Sequence, residues 1–279
     1  MFHFQRQLPH PSLRAYFRGY WLMKKEGVAE GKSPPLLLIP DGFPELFFRV
    51  EGAFAVVQDG AERPLPAGAL MGQLSKTIEL RASVGSIAFF VKLYPWVPHL
   101  LFGFGQKDLL NQNADLSLLD GGTAFRDLGE RLRGTGHFGE AVALLDDFFL
   151  SRVGLIEQQQ PLLETLTRQI FLHRGQLSVD DLRRNIQYSN RYLEQLFSKG
   201  LGLSPKRYAR VIRNKAITYQ MATQPPENLS AFAQEMGYFD QSHFIKDFKS
   251  ISQLTPSAFL AYMKQFPIRE ADQYLDQYR

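Results

Sequence analysis

The chain has 279 residues, long enough for two compact domains, and its 44% hydrophobic and 22% charged content is that of a globular protein. The absence of cysteine excludes disulfides, thiolate metal sites and cysteine nucleophiles, and agrees with a reducing cytoplasm. The net charge of +4 is unevenly spread: residues 1–160 hold 16 Lys/Arg against 17 Asp/Glu, residues 161–279 hold 16 against 11, so an anionic partner is to be sought in the C-terminal part.

The first residues, Met1 to Pro9, contain no apolar stretch of the kind a secretory signal needs, so no leader is expected. The longest aliphatic run, Leu36 to Ile39, is far too short to span a bilayer, and no membrane partner is expected. Residues 1–105 read as β-rich. Short apolar or alternating runs at Leu36–Ile39, Glu45–Val50, Ala53–Gln58, Thr77–Arg81 and Ile87–Leu93 are separated by proline and glycine, a spacing that suggests a barrel or sandwich. Pro40-Asp41-Gly42 and Pro66-Ala67-Gly68 read as turns.

Residues 106–158 change to helical spacing, with Phe125, Leu128 and Leu132 on one face and Ala141, Leu144, Leu145, Phe148 and Phe149 on another, the second helix running from about His137 to Val153. This helical extension is a candidate dimerisation segment. The polar run Glu157–Gln160 before Pro161 marks a domain boundary.

From Pro161 to Phe266 the chain reads as all helix, followed by a tail at 267–279. The first helix spans about Leu162 to His173. A short one capped by Ser178 ends near Asn185. A third is capped by Ser189 and stopped by Gly200 and Gly202, and a long fourth is opened by Pro205 and reaches about Met221. After Pro225-Pro226 the pattern repeats, with helices over Ser230–Met236, Asp240–Ser250 and Pro256–Gln265. In each unit a short helix and a tight turn precede a capped helix. That helix carries an apolar residue four places after the cap and phenylalanine eight places after it, and a hydroxyl residue before proline closes the unit. This is a duplicated helix-turn-helix. Such a helix is docked through one stripe and leaves its other face free for the major groove. Ala233 and Gly237 supply small residues for close packing in the second unit; the first has Arg183 and Gln187 at the matching places.

Phe197, Gly202, Ser204-Pro205, Tyr208, Arg213 and Ala216, and above all Gly237-Tyr238-Phe239-Asp240-Gln241-Ser242-His243-Phe244 with Phe248-Lys249 and Thr255-Pro256, resemble the AraC/XylS family of transcription regulators. Gln253 stands where that family usually ends the second recognition helix with glycine. The resemblance implies two recognition helices in successive major grooves, about 34 Å apart, joined by the long helix. It implies base-edge contacts from Arg191, Glu194 and Gln195 in the first unit and from Gln241, Ser242, His243 and Lys246 in the second. Ser189, Lys199, Lys206, Arg210 and Lys249 are the phosphate candidates, and Arg213 is either a further one or an internal salt bridge.

Gly19-Tyr20-Trp21, Ile39 to Phe47, Gly72-Gln73, Phe90 to Pro95 and Asp115 to Leu119 resemble the cupin-like sensor domain found in one branch of that family. The fold expected is therefore α+β: a cupin-like β-barrel with following helices, then an all-α domain of two helix-turn-helix units. The function expected is an effector-responsive, cytoplasmic, bacterial activator that contacts duplex DNA and RNA polymerase and forms a homodimer, with a ligand-independent regulator whose barrel only dimerises as the alternative.

Enzymatic readings find little support. Histidines 3, 10, 99, 137, 173 and 243 include no pair at ligand spacing, so a metal cupin enzyme is not expected. No phosphate loop or nucleophile elbow occurs, and a methyl-transfer repair enzyme is excluded by the missing cysteines. No cofactor or metal is expected. Trp21, Phe47 and Phe89 are candidate effector-pocket residues, though a plain core explains them too. Asp41 and Glu45 read as a turn cap and a surface or dimer contact.

Overall fold

The computed structural model describes residues 2–27, 35–103, 105–152, 154, 161–184 and 186–265. The expected boundary at Glu157–Gln160, the helix ends at Val153 and Asn185, and the tail from 267 lie outside these residues.

Among the described residues, ten strands build the N-terminal part: β1 (Phe2–Gln7), β2 (Phe17–Lys25), β3 (Leu36–Leu38), β4 (Glu45–Glu51), β5 (Phe54–Gln58), β6 (Ala61–Pro64), β7 (Gly68–Met71), β8 (Ile78–Ala82), β9 (Ile87–Leu93) and β10 (Asn113–Asp115). They form a six-stranded sheet in the order β1-β2-β9-β4-β7-β10 and a four-stranded sheet in the order β3-β8-β5-β6, every bonded pair antiparallel. The β5–β6 hairpin turns at Asp59-Gly60, both at positive φ, as a two-residue connection with the right twist requires.

The register decides which face each aromatic side chain takes. Phe90 lies opposite Phe47 and Trp21, and Phe89 lies opposite Phe48 and Leu22. Neighbouring residues on a strand point to opposite faces. Trp21, Met23, Phe47 and Phe90 therefore fill the layer between the two sheets, with Phe54, Val56, Ile78 and Leu80 from the smaller sheet. Phe47 meets Phe54 and Phe90 edge-on, with centroids 5.1 and 5.4 Å apart. Phe48, Phe89 and Leu22 point the other way, towards the helices.

Three helices cover that outer face: α1 (Val97–Phe102), α2 (Gly122–Arg133) and α3 (Phe138–Leu150). Their apolar stripes, Phe125, Leu128 and Leu132 on α2 and Ala141, Val142, Leu145, Phe148 and Phe149 on α3, are buried. Phe89 stacks on Phe138, 6.0 Å between centroids.

The C-terminal helices are α4 (Pro161–Leu172), α5 (Val179–Arg183), α6 (Asn190–Leu201), α7 (Pro205–Thr223), α8 (Leu229–Glu235), α9 (Gln241–Ser252) and α10 (Pro256–Gln265). Their apolar residues divide unequally. Leu182, Leu193, Phe197, Leu201, Tyr208 and Ile212 of the first unit belong to one continuous cluster with the outer face of the large sheet. The second unit has a cluster of its own, with Ile217, Met221, Phe232, Phe244, Phe248, Phe259 and Met263.

The β-rich part is pressed against the helical part at defined points. The Thr77 amide donates to the Ile251 carbonyl at the end of α9, 2.8 Å. The Leu37 amide donates to the Tyr262 hydroxyl at 2.9 Å, and that hydroxyl donates to the Pro35 carbonyl at 3.1 Å. Gly42, at φ +83°, sits so close to α7 that a Cβ would collide with Ile212 and come within 3.2 Å of Tyr208.

Candidate DNA-binding interface

Both recognition helices begin at a well-formed cap. Ser189 accepts from the Tyr192 amide at 3.2 Å to start α6, and Asp240 accepts from the His243 amide at 2.7 Å to start α9. Leu193 and Phe197 anchor α6 through one stripe, and Phe244, Phe248 and Ile251 anchor α9 through the equivalent one. Burying that stripe orients the opposite face outwards. Arg191, Glu194 and Gln195 on α6 are exposed, as are Gln241, Ser242, His243 and Lys246 on α9. The His243 ring meets Tyr238 edge-on, 5.3 Å between centroids.

Packing and backbone conformation within the second unit explain further motif residues. Ala233 of α8 is fully buried, the small residue that lets α8 and α9 approach. Gly237 answers a different need from the close packing expected of it. A Cβ there would meet nothing within 4 Å, but its φ is +80°, so the turn demands glycine for backbone conformation. Gln253 adopts the left-handed C-cap that glycine would, at φ 58°, and its side-chain amide donates to the Ser250 carbonyl at 3.0 Å.

The phosphate candidates separate into two groups. Lys199, Lys206 and Lys249 are exposed, and Ser189 is engaged as a cap. Arg210 is committed internally: its guanidinium donates through both Nε and Nη2 to Asp247 Oδ1 of α9, and through Nη2 to Ser250 Oγ at 2.9 Å. Asp247 Oδ2 accepts from the buried Tyr238 hydroxyl at 2.7 Å, and burial with this carboxylate pushes that phenol's pKa above its ordinary range. Arg210 therefore ties α7 to α9, a role visible only once the two helices are packed. Arg213 is also internal, donating to the Gly175 carbonyl at 3.2 and 3.0 Å and lying over the Tyr238 ring; the salt-bridge option is not what forms.

Two residues that sequence reasoning passed over stand out. Phe239, one place before the cap of α9, is 89% exposed beside the base-edge candidates. An exposed aromatic in a motif otherwise explained by packing was the available signal. Lys215, in the middle of α7, belongs to a charge cluster between the sheet and the long helix. Lys92 on β9 bonds to Asp41 at 2.5 Å and Glu45 at 2.9 Å, all three side chains at most 20% exposed. The surface or dimer role expected for Asp41 and Glu45 is thus corrected. Asp41 does cap the turn, accepting from the Phe43 amide at 3.0 Å, but both carboxylates are held inside by a lysine 51 residues away in sequence from Asp41. Burial alone would raise the Asp41 pKa; Lys92 and Lys215 outweigh it and bring it below the ordinary value. For Glu45 burial and the Asp41 charge prevail and the pKa rises. Burial lowers Lys215 to about 8, with Lys92 and Arg18 pushing the same way and Asp41 and Glu45 opposing.

The effector-pocket candidates do not converge. Trp21 and Phe47 face the inter-sheet layer, where both are at most 9% exposed in packed core, and Phe89 lies on the opposite face of the same sheet. Among the described residues no group of three or more His, Asp or Glu side chains could hold a metal, and no helix is long and apolar enough to cross a membrane.

Residues 182–262 match the helix-turn-helix domain family model, over the two units whose caps and free faces are described above. They form an AraC-type helix-turn-helix domain. Ahead of this AraC-type domain, residues 5–115 match a family described as a domain of unknown function, DUF6597. The chain is 32% identical over 65 residues to an uncharacterized HTH-type transcriptional regulator of Haemophilus influenzae, covering 23% of this chain and 22% of that one. It is 27% identical over 122 residues to the Msm operon regulatory protein of Streptococcus mutans, covering 42% of each. The matched stretches thus span less than half the length of either relative. A crystal structure of ToxT from Vibrio cholerae aligns over 93% of this chain and 98% of its own at 13% identity, with a TM-score of 0.46.

Proposed function

We propose that the chain is a sequence-specific DNA-binding transcription regulator whose AraC-type domain reads two major-groove segments. The observation that carries this is the pair of capped recognition helices, each anchored by one apolar stripe and each presenting an exposed polar face. Arg191, Glu194 and Gln195 read bases from α6, and Gln241, Ser242, His243 and Lys246 read them from α9. Lys199, Lys206 and Lys249 hold phosphates, and Ser189 presents the positive end of α6 to the backbone. Phe239 adds an apolar contact, suited to a thymine methyl or a sugar.

The β-rich part governs this domain through the contacts at Gly42, Thr77 and Tyr262. It responds to a small effector, and RNA polymerase is the protein partner through which binding becomes activation. A homodimer through α2 and α3 would have to use their charged outer faces, because their apolar stripes are already buried. No enzymatic step is part of the reading.

Gel-shift titration against promoter duplex at several salt concentrations tests it. Affinity falls steeply with salt, by a slope of about −0.9 for each phosphate neutralised. A salt-independent affinity, or equal affinity for promoter and unrelated duplex, refutes the reading.

A further inference from the structure

A cleft of about 240 Å³ opens between the β-rich part and the AraC-type domain. Ser75 and Lys76 from the loop before β8 form one wall. Arg207, Arg210 and Val211 of α7, with Ser250 and Ile251 of α9, form the other. The hydrogen bond from the Thr77 amide to the Ile251 carbonyl closes one side.

Three cations and two hydroxyls line this small space. Lys76 is paired with Asp59, at 2.6 and 2.7 Å, but that carboxylate is 71% exposed and a weak competitor. Arg210 is oriented by Asp247 and Ser250 through Nε and Nη2, which leaves its Nη1 donors uncommitted in those bonds. Arg207 is exposed and its guanidinium makes no hydrogen bond or ion pair among the described residues, while its amide is taken by the Ser204 cap at 3.2 Å. Arg207 and Lys206 both lie in the first turn of α7, a 19-residue helix with no acidic residue there. Cations at the positive end of a helix are unfavourable, and a bound anion relieves that repulsion.

We propose that this cleft binds a small anionic metabolite, one bearing a phosphate or carboxylate group, and that the bound anion sets how tightly the β-rich part grips α7 and α9. The proposal gives the regulator reading its effector site, and relocates that site from the filled inter-sheet core to the boundary between the two parts. The volume corresponds to about eight water molecules, room for a ligand of about ten heavy atoms. A duplex cannot enter, since its major groove alone is about 12 Å wide. The ligand would touch the loop before β8, the helix that joins the two recognition units, and the end of the second recognition helix. By linkage, whatever factor the anion changes DNA affinity by, DNA changes anion affinity by the same factor.

The test uses the full chain and three probes, inorganic phosphate, pyrophosphate and citrate, at constant ionic strength against chloride. Thermal shift and calorimetry are read for wild type, Arg207→Gln and Arg207→Glu, with circular dichroism confirming that each variant is folded. At least one probe gives a saturable rise in Tm, weakened about tenfold or more by either Arg207 change, the loss of one charge-assisted hydrogen bond. No saturable shift beyond chloride overturns the proposal, as does equal binding by wild type and the Arg207 variants. Loss of DNA affinity and salt slope in Arg207→Glu without anion binding in wild type also overturns it, assigning Arg207 to the duplex backbone. Anion binding without any DNA binding would instead refute the regulator reading and leave the cleft intact.

Discussion

Replacing Asp247 separates a structural strut from a DNA contact. Asp247 is 14% exposed and accepts from two partners, Arg210 at 40% exposed and the Tyr238 hydroxyl, whose residue is 5% exposed. Asp247→Ala leaves that hydroxyl buried without its acceptor, a penalty of about 1–3 kcal/mol. The lost pair with the half-exposed Arg210 adds under about 1 kcal/mol. The sum, about 1–4 kcal/mol, falls on the second unit, which has its own apolar cluster. Both tryptophans, Trp21 and Trp96, lie outside that unit, so indole fluorescence would miss the effect. Amide hydrogen exchange on peptides covering residues 238–263 reads it directly, and protection falls by about 5- to 1000-fold. Tyr238→Phe alone costs less, and the double variant is less damaged than the sum of the two, by about 1 kcal/mol or more. Strict additivity would refute the shared hydrogen bond. Arg210→Ala tests the other side of the strut: the slope of DNA affinity against salt stays unchanged, whereas a slope smaller by about one phosphate would return Arg210 to the DNA backbone.

Three further outcomes follow from the same geometry. Arg191→Ala and Lys246→Ala each weaken specific promoter binding by about 1–3 kcal/mol, while unrelated duplex is bound much as before; gel shift at fixed salt checks this. Gln253→Gly stabilises the second unit by about 0.5–1 kcal/mol, because glycine takes the left-handed C-cap without the penalty of a side chain, and exchange protection of α9 rises accordingly. Lys215 gives stability a pH dependence. Its pKa is about 8 when folded and 10.5 ordinarily, so the folded chain binds fewer protons between those values and stability climbs with pH across that window. Below pH 8 its penalty is fully present. Urea midpoints at pH 7.5 and 9.5 show a larger gain for wild type than for Lys215→Met, and equal gains would contradict the burial of Lys215 among Asp41, Glu45, Lys92 and Arg18.

The helical part was legible in the sequence because its signals are local. Ser178, Ser189 and Asp240 cap where their side chains predict, and the i+4, i+8 apolar spacing named Leu193, Phe197, Phe244 and Phe248 as anchors. Strand β2 was not read, because Phe17–Lys25 is buried on both faces and shows no alternation. Strands β6 and β10 are short and polar, and nothing in Ala61–Pro64 or Asn113–Asp115 announces a ladder. The split of Phe47 from Phe89 depends on sheet register. The internal roles of Arg210, Asp41 and Glu45 depend on partners 37 to 51 residues distant, which no local pattern carries.

The most direct measurement is selection of full-chain binding sites from a random duplex library. The account predicts enrichment of two short motifs separated by about one helical turn, ~10 base pairs, with the preference at one motif altered by Arg191→Ala and at the other by Lys246→Ala. Recovery of no motif, or of one motif that both variants leave intact, would contradict the claim that α6 and α9 read DNA.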